Sequence, residues 1–78
     1  MTITYKGYEI KPSPTQLAEN NMWDICAVIE KNHGSHTNEI KCTDINTCKN
    51  ENEAIEKSIN YAKQIIDGHC KDYSVAIL

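Results

Sequence analysis

The stretch ENEAIEKSINYAKQIID, residues 51–67, decides the fold. Its apolar residues recur at the spacing of one helix face, at Ile55, Ile59, Ala62 and Ile66. Charged and amide side chains occupy the opposite face. The pattern predicts an amphipathic helix whose apolar stripe is wide enough to cover a sheet.

Both ends of this helix carry sequence signals. Asn50 can accept a hydrogen bond from a backbone amide of the first turn, and Glu53 can reach back as in a capping box. Gly68 supplies the left-handed residue that commonly follows a helix. We therefore predict that the helix begins after Asn50 and stops at Gly68.

The residues before the helix alternate as in β-strands. Trp23, Ile25, Ala27 and Ile29 fall on one face of a central strand. A turn is predicted at residues 32–35, followed by a return strand over residues 38–43. These two strands form a hairpin.

In the first strand the apolar residues fall at odd positions up to Tyr5 and at even positions from Tyr8 onward. The parity of the apolar face therefore changes at Lys6-Gly7. A β-bulge at Gly7 would restore the face within one strand, and we favour it because glycine is usual at the first bulge position. The alternative is a tight two-residue turn that makes two very short strands. A proline at position 12 ends this segment in either case.

These segments predict an α+β fold. It is a three-stranded antiparallel meander followed by one C-terminal helix packed across one sheet face, in the order β-β-β-α. We expect residues 1–68 to form a single domain and residues 69–78 to form an apolar C-terminal tail. A chain of 78 residues suffices for one small domain with a thin core.

The sequence has no apolar run long enough to span a membrane and no signal-peptide core at its N-terminus. We therefore expect a cytoplasmic location, where its four cysteines would stay reduced. The formal net charge is −3, and no arginine is present. Because arginine is the residue best suited to phosphate and guanine contacts, this composition disfavours nucleic acid as a partner.

Metal binding and catalysis find little support in the residue pattern. The zinc candidates His33, His36, Cys42 and Cys48 lack the paired spacing of structural zinc sites, so we expect no bound metal. No phosphate-binding loop, nucleophile elbow or metalloprotease motif is present. We expect neither enzymatic activity nor a cofactor.

Several landmarks together resemble a known group of proteins. They are the run of residues 5–10, Trp23 with its alternating apolar residues, and the helix that opens at residues 52–54 and closes at 65–68. They are similar to a family of small uncharacterised bacterial β-β-β-α proteins, a resemblance that implies the fold. The chain is loosely similar to HicB-type antitoxins, although the Pro-Asp-Leu-Pro-Gly-Cys-like segment of that family is absent.

Two functions follow as hypotheses. The main one is a small non-catalytic protein-interaction or dimerising module, because a short sheet leaves two edges and one face uncovered. The residues expected to form its interaction surface are Cys26, Val28, Lys41, Tyr73, Val75 and Ile77. The alternative is an antitoxin-like regulatory protein that contacts nucleic acid directly or through a partner, with Tyr5, Tyr8 and Trp23 as a stacking platform. We favour burial of these three aromatic residues in the core.

Overall fold

The computed structural model describes residues 1–76 and 78. Four antiparallel strands precede one helix, and the strands lie in the order in which they occur along the chain. The elements are β1 (Ile3–Tyr5), β2 (Tyr8–Pro12), β3 (Trp23–Asn32), β4 (Thr37–Cys48) and α1 (Glu51–Ile66). The α+β class and the C-terminal helix are confirmed, but the sheet has four strands instead of the predicted three.

The additional strand comes from the turn at Lys6-Gly7. Both residues have positive φ angles, 50° and 86°, which fits the tight hairpin turn that matches the twist of the flanking strands. Tyr5 and Tyr8 are paired across this turn, and Ile3 is paired with Ile10. The predicted bulge at Gly7 is therefore wrong, and the change of parity marks a reversal of the chain.

The helix ends where the sequence signals place its ends. The Asn50 side chain accepts a hydrogen bond of 2.8 Å from the Glu53 amide. Gly68 adopts a φ of 80° and donates to the Ile65 carbonyl, while His69 donates to the Gln64 carbonyl. These two bonds form the Schellman arrangement that satisfies the last carbonyls of a helix.

The core lies between α1 and one face of the sheet, here called the inner face. Its fully buried members include Ile10, Ala27 and Ile29 from the sheet and Ala62 and Ile65 from the helix. A second cluster of Ile25, Cys48 and Ala54 packs near the start of the helix, with Trp23 partly buried against it. Small helix residues allow α1 to approach the strands closely.

One polar contact ties the buried face of the helix to the sheet. Ser58 is fully buried, and its hydroxyl accepts a hydrogen bond of 3.0 Å from the amide of Cys26. The Cys26 carbonyl accepts from Ser13, just beyond the end of β2. The hydroxyl therefore satisfies a strand amide inside the core.

Strand β4 is longer than predicted because it continues beyond residue 43. The register slips there, so that Asp24 pairs with Thr47 whereas Cys26 pairs with Thr43. The extra residues form a bulge that leaves Ile45 96% exposed. Beyond the bulge, pairing resumes and brings Cys48 opposite Trp23.

The tail after Gly68 returns to the core. Tyr73, Val75 and Leu78 are partly buried against the main cluster, and the Tyr73 hydroxyl accepts a hydrogen bond of 3.4 Å from the Thr43 amide. Ile77 lies outside the described residues. The helix in the described part of the chain is too short and too polar to cross a membrane.

Candidate functional site

One end of the molecule gathers basic and aromatic side chains from three elements. The β1–β2 turn, the β3–β4 turn and the C-terminus of α1 all lie at this end, as the strand register and the contact between Tyr5 and Asp67 show. We name this group the lysine corner, defined by Tyr5, Lys6, Tyr8, Lys31 and Lys63.

The three ammonium groups lie over the two tyrosine rings. Lys6 and Lys63 place their Nζ atoms 5.4 and 5.3 Å from the centre of the Tyr5 ring. Lys31 lies 4.9 Å from the centre of the Tyr8 ring. Each distance is within the range of a cation–π contact, which holds the ammonium group in position while it stays accessible to solvent.

Asp67 supplies the acidic partner of the lysine corner. Its carboxylate accepts hydrogen bonds from Lys6 at 2.5 Å and from the Tyr5 hydroxyl at 2.9 and 3.0 Å. These donors lower the pKa of Asp67, the bond from Lys6 having the larger effect. The same bonds raise the pKa values of Lys6 and Tyr5.

The other two lysines keep their charge available. Neither Lys31 nor Lys63 forms a salt bridge with any residue that the structure describes. Lys31 donates to the Gly7 carbonyl at 3.3 Å, which fixes its position beside the tight turn. With three lysines and one carboxylate, the lysine corner has a local excess of positive charge.

The opposite face of the sheet is acidic near this end. Glu30 lies between Glu9 and Glu39 in one cross-strand row. Lys11 forms a salt bridge of 2.9 Å with Glu30, which lowers the pKa of that carboxyl group. The glutamate row lies on the outer face of the sheet, whereas the lysines lie on the side of the sheet that α1 covers. A polyanion that approaches from the helix side therefore meets the lysines first.

A cavity lies between α1 and the β4 bulge, away from the lysine corner. It encloses about 240 Å³ and is lined by Ile25, Asp44, Asn46, Lys57, Asn60, Tyr61 and Gln64. Burial raises the pKa of Tyr61, and the bond to Glu53 raises that of Lys57. Both shifts move the groups farther from neutral pH, so neither is prepared to exchange a proton near pH 7.

The structure separates the residues considered for zinc. His33 and His36 stack on each other in the β3–β4 turn, with ring centres 5.2 Å apart. Cys42 and Cys48 are buried in different core clusters. Burial raises the pKa of the Cys42 thiol to about 11, which keeps it protonated at neutral pH. Among residues 1–76 and 78, no three metal-binding side chains come together.

The residues proposed for an interaction surface are dispersed. Cys26 is only 2% exposed, and its sulfur accepts from the hydroxyls of Ser13 and Thr43, so it cannot meet a partner. Val28 and Lys41 face each other on the outer side of the sheet. Tyr73 and Val75 pack against the core.

Sequence reasoning missed the lysine corner. Its lysines come from a turn, a strand and a helix, and only their folded positions bring them together. Tyr5 and Tyr8 were considered as a platform for nucleic acid, and the structure places them, partly buried, beneath the lysines. Trp23 lies in the second cluster and is not part of this site.

A protein-family model described as transcriptional activator HlyU matches residues 1–73. The chain belongs to the HlyU family. No curated protein matches the chain in sequence. The HlyU match extends over all five elements and into the tail, so it includes every residue of the lysine corner.

Membership of the HlyU family corrects three interpretations. The resemblance to a family of unassigned function and the looser one to HicB-type antitoxins are both replaced by a family with a regulatory description. The main hypothesis, a protein-interaction or dimerising module, is wrong, and the regulatory alternative is favoured. The expectation that disfavoured nucleic acid as a partner is also wrong. The family description names regulation and no catalytic reaction.

Proposed function

We propose that this HlyU-family protein regulates transcription by contacting DNA through the lysine corner. The observation that carries the proposal is the family match over residues 1–73, since it describes a transcriptional activator. The lysine corner supports it, because neutralisation of DNA phosphates by lysine and arginine side chains supplies a large part of protein–DNA affinity.

The geometry suits contact with a phosphate backbone. Cation–π contacts and the Gly7 carbonyl hold Lys31 and Lys63 at defined positions on one end of the fold. An ammonium group is a compact charge that binds phosphate oxygens without the fixed geometry of a guanidinium. The lack of arginine therefore limits bidentate base recognition but does not prevent phosphate binding.

The net charge of −3 does not oppose this function strongly. Charges farther apart than the Debye length, about 10 Å at 0.1 M salt, are largely screened from each other in solution. The long axis of the molecule measures 41 Å, and the acidic first turn of α1 lies at the end remote from the lysine corner. The local charge thus governs the approach of a polyanion.

Fluorescence anisotropy with a labelled duplex, measured at salt concentrations from about 25 to 200 mM, tests the proposal. If three phosphates are neutralised, the logarithm of the affinity should fall with the logarithm of salt at a slope near −2.7. The variants Lys31→Gln and Lys63→Gln should each weaken binding and reduce the slope by about 1.

Lys49→Gln is the matched control, because Lys49 is exposed beside the start of α1, far from the lysine corner. It should bind like the unmodified protein. The proposal is refuted if no binding is detected at the lowest salt. It is also refuted if Lys49→Gln weakens binding as much as Lys31→Gln does.

A further inference from the structure

The β3–β4 hairpin extends beyond the other strands at the lysine-corner end. β2 begins at Tyr8, whereas the pair Asn32 and Thr37 and the turn beyond it have no strand beside them. Every residue from 32 to 39 is exposed. We name residues 32–38 the hairpin tip; it is a two-stranded ribbon that projects into solvent.

The hairpin tip has the composition of a surface that reads bases. Its sequence, NHGSHTN, contains only glycine and side chains that donate or accept hydrogen bonds, with no carboxylate and no large apolar group. Asparagine pairs with the adenine edge, and serine and threonine can pair with any base, through donors and acceptors exposed in the major groove. Histidine also offers one donor and one acceptor when neutral.

Contacts within the hairpin tip hold it in one shape. The His33 amide donates to the His36 carbonyl at 2.8 Å, and the Gly34 amide donates to the Asn32 side chain at 2.8 Å. The two histidine rings stack with an interplanar angle of 23°, and the Ser35 hydroxyl lies 3.3 Å from Nδ1 of His36. A turn ordered in this way loses less conformational entropy on binding.

The dimensions also fit. The major groove of B-DNA is about 12 Å wide and admits a two-stranded β-ribbon, whose strands lie about 5 Å apart. Lys31 pairs with Asn38 at the base of the hairpin tip, so a lysine of the lysine corner lies directly behind the base-reading residues. Insertion of the tip would bring the lysines toward the backbone that borders the groove.

We propose that the hairpin tip enters the major groove of duplex DNA, where His36 and Asn38 contact base edges while the lysine corner contacts the backbone. This inference rests on the proposed function and assigns sequence preference to one element of the fold. Lysines at the corner supply affinity, and the hairpin tip supplies discrimination.

The test begins with a selection by the unmodified protein from a pool of duplexes with a randomised centre. Anisotropy then compares the selected duplex with a scrambled duplex. The double variant His36→Ala/Asn38→Ala should lose discrimination, by a factor on the order of 5 to 150 for each bidentate contact removed. Its affinity for the scrambled duplex and its salt slope should not change. Methylation of guanine N7, which lies in the major groove, should interfere with binding of the unmodified protein.

Asn52→Ala is the matched control, since Asn52 is an exposed asparagine at the opposite end of the molecule. It should keep the full preference for the selected duplex. If the double variant retains this preference, or if N7 methylation of guanines that the selection enriches has no effect, the hairpin tip does not read the major groove, although the proposed function stands. If the unmodified protein binds no duplex even at low salt, the proposed function fails and this inference fails with it.

Discussion

Ser58→Ala tests whether the buried contact between α1 and β3 stabilises the fold. The substitution removes the acceptor of the 3.0 Å hydrogen bond from the Cys26 amide. A buried donor left without a partner costs about 1–3 kcal/mol. Alanine recovers about 0.5 kcal/mol through its higher helix propensity. The net loss of unfolding free energy should therefore be on the order of 1.5 kcal/mol.

Urea unfolding followed by circular dichroism measures this loss directly. For a domain of this size, about 1 kcal/mol corresponds to a change of roughly 4–8 °C in melting temperature, so a thermal melt gives a second reading. Amide hydrogen exchange locates the effect, because the Cys26 amide should exchange faster in the variant than in the unmodified protein.

Glu56→Ala is the control for helix propensity, because Glu56 is exposed on the same helix. Its stability should change by no more than about 0.5 kcal/mol. If Ser58→Ala proves as stable as Glu56→Ala, or if exchange at Cys26 is unaltered, the hydroxyl does not stabilise the sheet and the reasoning is refuted.

Three further substitutions test separate parts of the structure. Gly7→Ala and Gly34→Ala should each destabilise the protein by about 1 kcal/mol in urea unfolding, because both glycines have φ near 85°. The Lys31 Nζ, 3.1 Å from a Cβ at Gly7, is the end of a flexible side chain that can move aside, so the two losses should be similar; a variant as stable as the unmodified protein would contradict this. Glu39→Lys should stabilise the fold by about 0.2–1 kcal/mol in a thermal melt, because it replaces the like-charge contact with Glu30; a lower melting temperature would argue against that account. The pKa of Asp67 is lowered in the fold, so its contribution is complete above its ordinary value of 3.8 and is lost as pH falls through the lowered value. Asp67→Asn should therefore lose less stability than the unmodified protein between pH 5 and pH 2 in urea titrations, and identical pH profiles would refute the role of this carboxylate.

The helix could be predicted because its signals are local. The apolar stripe, the Asn50 cap and the Gly68 stop all lie within one stretch of chain. The hairpin of β3 and β4 could be predicted for the same reason, since the alternating residues flank a polar turn. In such elements the local hydrogen bonds and side-chain periodicity agree with the tertiary packing, so the sequence is enough to predict them.

The β1–β2 turn could not be decided from the sequence. A bulge and a tight turn both account for the change of parity in the apolar face. They differ in whether the chain reverses at Lys6-Gly7 and so pairs Ile3 with Ile10. The pairing of Ile3 with Ile10, and the packing of both in the main core, depends on the helix that covers them. The continuation of β4 likewise depends on the burial of Cys48 beside Ile25.

The candidate site could not be predicted because it depends on distant residues. Lys6 and Lys63 lie over one tyrosine ring although α1 begins long after β1 ends. The net charge of −3 and the lack of arginine disfavoured nucleic acid as a partner. A count of charges, however, does not show where the charged residues lie in the fold. The distribution of charge over the fold, and not the net charge, decides how a small protein meets a polyanion.

The distribution of charge makes the two ends of the molecule electrostatically different. The end remote from the lysine corner comprises the start of β3, the β4 bulge and the first turns of α1. Its acidic residues are Asp24, Asp44, Glu51 and Glu53, which outnumber the basic residues Lys49 and Lys57 there. If the lysine corner contacts DNA as proposed, attraction of its lysines and repulsion of the remote acidic end and of the Glu9, Glu30 and Glu39 row produce a torque that turns the helix side of this end toward the duplex. The hairpin tip projects from the same end as the lysine corner, so in the proposed mode of binding this torque presents the tip to the groove. An acidic net charge is thus compatible with the proposed binding, since the carboxylates disfavour approach from the remote end and from the outer face of the sheet.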